Sequence, residues 1–116
     1  MKSVKIGIMT QEQMRARVMS IARGEYKPKA SDPKIWFPSM KSLSEVLSDE
    51  NRALLKIIKN TRPDSLTSLA DTTGRKIGNL SRTLKTMSGY GLVEMKRGER
   101  NQLRPVAIAT DFIIAA

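Results

Sequence analysis

A chain of 116 residues and 13.0 kDa amounts to one domain, or one domain with an appendage, and is long enough to bury a core. Its hydrophobic content of 40% and charged content of 28% are ordinary, but 21 Lys and Arg against 11 Asp and Glu leave +10, a surplus that draws polyanions, nucleic acid before anionic membrane. Without Cys or His there are no disulfides, thiol nucleophiles, imidazole bases or Cys/His metal sites; with no paired-acid or Gly-rich phosphate motif either, an enzyme is the least supported class and no cofactor or metal is expected.

The N-terminus, MKSVKIGIMTQEQ, is too short and mixed an apolar run for a signal peptide. No segment approaches the ~18 apolar residues that span a bilayer. A cytoplasmic location without membrane contact is expected. Val4, Ile6 and Ile8 alternate with Lys5 and Gly7 as a short strand does. Thr10 and Gln13 form a capping box for a helix whose apolar face is Met14, Val18, Ile21 and Ala22 and whose stop is Gly24.

Residues 25–34, EYKPKASDPK, read as a linker or arm. Ile35-Trp36-Phe37, the one aromatic concentration, reads as a core-anchoring strand rather than a base-stacking platform. Ser39 caps a short helix carrying Leu43, Val46 and Leu47. Ser48 caps the next, with Asp49 and Glu50 at the positive end of its dipole and Leu54, Leu55, Ile57 and Ile58 along it, ending before Pro63.

A third helix is expected over about 65–72 and a fourth over about 75–89, then strands near 92–96 and 103–109 joined by the turn Arg97-Gly98-Glu99-Arg100-Asn101. Phe112-Ile113-Ile114 closes the series as a strand or contact surface. The fold class this implies is α+β, mainly helical: a winged helix-turn-helix domain over 35–116 with an N-terminal strand–helix extension and basic arm over 1–34.

The spacing Ala70, Gly74, Leu80 supplies what a helix-turn-helix needs. A small residue stands at the crossing, a residue tolerant of positive φ in the turn, and an apolar lock on the second helix. At about 100° per residue, Ile77, Leu80, Leu84 and Met87 fall on a core arc, opposite Arg75, Gly78, Asn79, Arg82, Lys85 and Thr86. From Gly74 to Lys96 the only acid is Glu94, unlike a solvated helix laced with Glu–Lys pairs. Arg matches guanine O6 and N7, and Asn matches adenine N6 and N7. Arg75, Asn79 and Arg82 are therefore the candidate base readers, with Lys76, Ser81 and Lys85 nearer phosphates. Lys96, Arg97, Arg100 and Arg104 surround the hairpin turn as a wing would require.

The run from about Ile35 to Pro105 resembles the winged-helix transcriptional regulators of bacteria and archaea related to the MarR group. The resemblance rests on RGEYKPK just before that run, then WFPSMKSLSEVLS, SLTSLADTTGR, NLSRTLKTMSGYGLVE and the Pro after the wing. It implies homodimers on palindromic double-stranded DNA operators, with Asn79, Ser81 and Arg82 at DNA-touching positions. It also implies an autorepressor, and several look-alikes are antitoxin components of TumE–TumA-type modules, so a cognate toxin is a further implied partner. Gly78 stands where that family more usually has a polar residue, and PVAIATDF replaces the family's Pro-Tyr-Asp ending. Two alternatives carry over: an antitoxin whose main task is neutralising a partner through the 25–34 arm, and an RNA-binding winged helix.

Overall fold

The structure, a computed structural model, describes residues 3–115. It is an α+β fold in the order β1 (Val4–Ile8), α1 (Gln11–Ala22), β2 (Ile35–Phe37), α2 (Met40–Val46), α3 (Asp49–Thr61), α4 (Leu66–Thr73), α5 (Ile77–Tyr90), β3 (Val93–Arg97), β4 (Leu103–Ala107) and β5 (Phe112–Ala115).

Local chemistry sets most of the boundaries. The side chains of Thr10, Ser39, Ser48 and Ser65 each accept a backbone N–H at the start of α1, α2, α3 and α4, and Gln13 returns a bond to the Thr10 amide to complete the capping box. Gly74 ends α4 at φ +74°, its N–H bonded to the Ala70 carbonyl at 2.8 Å. A side chain in that left-handed conformation would be strained, so glycine suits the turn.

β1 is the centre of a parallel sheet ordered β2–β1–β5, with Ile6 opposite both Ile35 and Ile114. One face carries Ile6, Ile35 and Phe37 into the core shared with Leu43 and Leu47 of the α2 region, Leu54, Leu55 and Ile58 of α3, Leu69 of α4 and Leu80, Leu84 and Met87 of α5. Phe37 stacks on Tyr90 with ring centroids 4.2 Å apart, tying the sheet to the end of α5. On the other face Gly7 lies flat against Trp36 and Pro33, where any Cβ would clash. Ile6 thus shares one core with the helical pair, and the division of the chain at residue 34 does not follow the packing.

Two expectations need correction. The α1 face of Met14, Val18, Ile21 and Ala22 is not buried: Met14 and Ile21 are half-covered, Val18 and Ala22 exposed. From α1 the Arg17 guanidinium sits over the Tyr26 and Trp36 rings at 5.5 and 5.2 Å. Residues 25–34 are not a free arm. Asp32 accepts from the Tyr26 hydroxyl, from the Lys29 N–H at 3.0 Å and from Arg17 at 3.3 Å, pinning the segment to α1.

Candidate nucleic-acid interface

α4 and α5 meet across a tight turn. Ala70 packs against the core, and Leu80 is fully buried. α5 begins later than the sequence suggests, at Ile77. Arg75 therefore lies in the turn and Lys76 is the N-cap, so neither is on the helix as expected. Among the α-helices of the described residues, only α5 has no side-chain cap, and no acid stands in its first turn. Its first amides and the positive end of its dipole are left with Arg75 and Lys76 beside them, an environment that favours anions.

Ile77 is the second correction on this helix. It is 48% exposed, whereas Leu80, Leu84 and Met87 are buried. The angular arc places it on the core side, but as the first residue of α5 it stands one turn beyond the last core layer, and α4 has already ended at Thr73.

Arg75 and Asn79 are brought together. The Arg75 Nε donates to Asn79 Oδ1 at 2.8 Å, and its Nη2 to Thr83 Oγ1 at 3.3 Å. Asn79 and Arg82, three residues apart, form one stripe along α5, and Arg75 reaches onto its start from the turn. Arg82 also lines a groove with Glu45, Val46 and Asn51 beside α2 and α3. Ser81 and Lys85 form a second stripe facing the hairpin, along a groove with Leu66, Met95 and Leu103. Asn79, Ser81, Arg82 and Lys85 are all exposed, and Gly78 between the stripes has open space above it.

β3 and β4 pair as an antiparallel hairpin closed by a 3₁₀ turn at Glu99–Asn101. Arg100 and Asn101 are left-handed at φ 58° and 60°, a strained setting for Arg. Arg97 Nη1 donates to the Asn101 carbonyl at 2.9 Å and braces the tip, leaving Arg100 exposed at its end.

Lys96 does not reach the tip, whereas the Arg104 side chain lies over Gly98 at its base. Lys96 and Arg104 stand directly opposite each other on the outward face, a like-charge pair that costs stability in isolation. Glu94, open to solvent, lies 4.0 Å from Lys96, and Asp64 and Glu99 line a second groove with Arg104, Arg97 and Arg100. Sequence reading missed what lies alongside: Lys59 and Arg62, from the end of α3, line a groove of about 840 Å³ with Lys96 and Arg104 and no carboxylate. Their only sequence signal was a pair of bases flanking a helix end.

Among the described residues no group of His, Cys, Asp or Glu could hold a metal, and no helix is long and apolar enough to cross a membrane. The family model described as HVO_A0114 matches residues 46–114, a span running from the last residue of α2 into β5 and containing every Lys, Arg, Asn and Ser named on this surface. No curated protein and no solved structure matches the chain.

Proposed function

The chain belongs to the HVO_A0114 family, and from that premise we propose that the matched span is a winged helix-turn-helix and that the protein is a sequence-specific DNA-binding regulator. In this reading it represses its own operon as a homodimer on a palindromic site. α5 is the recognition helix. Asn79 and Arg82 meet base edges, Arg75 orients Asn79, and the exposed Ile77 is placed to touch a thymine methyl. Lys76, Ser81 and Lys85 hold phosphates, and the hairpin is the wing, with Arg97 and Arg100 at its tip and Lys96 and Arg104 along its outward face.

The observation that carries the reading is the division of α5. Leu80, Leu84 and Met87 are buried while the exposed face holds Asn79, Ser81, Arg82 and Lys85 with no acid, beside a basic hairpin. A structural helix has no use for a one-signed solvent face, whereas a polyanion does. RNA suits it less, because Ile35 and Phe37 are taken up in the core, Trp36 lies under Arg17 on the other face of the sheet, and no aromatic stands on this surface to stack a base. An antitoxin role remains compatible with autorepression, but it draws no support from residues 25–34, which are already held by Asp32.

The test is duplex binding as a function of salt. A dimer making 6–10 phosphate contacts loses about 10³–10⁵ in affinity between 50 and 200 mM salt. Binding to the protein's own upstream DNA that hardly responds to salt would remove the phosphate half of the proposal.

A further inference from the structure

The three-stranded sheet has two outer edges, and they are treated differently. β2 is three residues long and stands between Pro33 and Pro38, which blunt it against pairing. The β3–β4 hairpin is guarded by its charges. β5 has no such guard: Phe112–Ala115 contains no Pro and no charge, and Ile113 and Ile114 are 54% and 47% exposed.

The direction of its backbone groups follows from the ladder. Val4 N–H donates to the Asp111 carbonyl at 3.1 Å, while the Lys5 carbonyl accepts from Lys34 at 3.0 Å. Even positions of β1 therefore serve β5 and odd positions serve β2. On β5 the same alternation turns Asp111 and Ile113 toward β1, and leaves the N–H and C=O of Phe112 and Ile114 pointing away from the sheet.

The charge distribution argues for what covers this edge. The chain carries +10, so two copies repel except where cations are missing. From Pro105 to Ala115 there is no Lys or Arg. We propose that β5 is the interface between two copies of this chain, joined antiparallel about a two-fold axis at Ile113. Phe112 of each copy then exchanges hydrogen bonds with Ile114 of the other, and the two Ile113 side chains meet across the axis at about 4.5 Å between Cα atoms, the spacing of a non-hydrogen-bonded pair. Asp111 falls opposite Ala115, so no like charges are opposed. The two sheets become one continuous sheet. This supplies the dimer that the operator reading calls for and rests on that reading only for its purpose.

The full chain is examined without DNA by analytical ultracentrifugation over a wide concentration range, so that the result stands apart from duplex binding. The wild type sediments as a dimer. Ile114→Pro removes an outward N–H without touching the bonds to β1, and Ile113→Glu sets like charges face to face. Each raises the dimer dissociation constant about tenfold or more while the circular dichroism stays unchanged. If Ile114→Pro fails to fold, Ile113→Glu decides the matter alone. A wild type that is monomeric throughout, as it would be if the edge served a strand from a different protein, overturns the proposal. So does a folded variant that dimerises as tightly as the wild type.

Discussion

The Arg75 Nε donates to Asn79 Oδ1 at 2.8 Å, so two side chains suited to reading bases reach the surface already joined, with Thr83 holding the far end of the guanidinium. This coupling has a measurable consequence. Asn79→Ala should cost about 1–3 kcal/mol of discrimination at one base pair. Arg75→Ala should lose part of the same discrimination by freeing the Asn79 rotamer. The double variant should then fall short of the sum by at least about 0.5 kcal/mol, as contacting residues do. Strict additivity in competitive binding assays would mean that the pair does not act as a unit.

Lys96 stands directly opposite Arg104 in the ladder, a like-charge placement that costs the free fold and that an anionic ligand would relieve. Lys96→Thr should stabilise the hairpin by about 0.2–1 kcal/mol, since the solvent-exposed pair with Glu94 contributes little. The same change should weaken duplex binding for all sequences and reduce the salt slope by about one. Thermal denaturation and binding titrations on one preparation report both effects, and a loss of stability would contradict the account.

Gly7 is required by close approach. Gly7→Ala would force its Cβ into Trp36 and Pro33, and overpacking of this kind costs about 1–3 kcal/mol. Denaturant unfolding should show the loss at an unchanged m-value. Gly78→Ala is the contrast: with open space above it and a helical backbone, it should gain up to about 1 kcal/mol in stability.

Asp32 makes the pinned segment sensitive to acid. The Tyr26 hydroxyl foremost, then the Lys29 N–H and Arg17, hold its carboxyl below the ordinary value of 3.8. A group depressed in the folded state stabilises above its unfolded pKa, and that stabilisation is lost as pH falls through the lower folded value. Trp36, the only tryptophan, lies under Arg17 and reports the release: its fluorescence should hold down to about pH 4 and change below it. In Asp32→Asn the acid-dependent step should disappear.

Which parts of this were legible in the sequence follows from the range of the interactions involved. The caps at Thr10, Ser39, Ser48 and Ser65 and the turn at Gly74 are short-range, and each was readable from a few neighbours. Ile77 was misassigned because an angular arc says which side of a helix faces inward, not how far along the helix the core extends. The pairing of β1 with β5, more than a hundred residues apart, leaves no local trace, which is why residues 1–34 read as an extension. Lys59 and Arg62 join Lys96 and Arg104 only through the packing of α3 beside β4. Asp32 looked like one more polar residue in a Pro- and Lys-rich stretch, and only the approach of α1 revealed its partners.

The central claim, that the exposed face of α5 reads sequence while the hairpin supplies affinity, is tested most directly by one comparison. The affinities of wild type, Arg82→Ala and Arg100→Ala are measured on the protein's own upstream duplex and on a scrambled duplex at the same salt. Arg82→Ala should bring the two affinities together, and Arg100→Ala should lower both by a similar factor. Retention of the full preference by Arg82→Ala and Arg100→Ala alike would contradict the account.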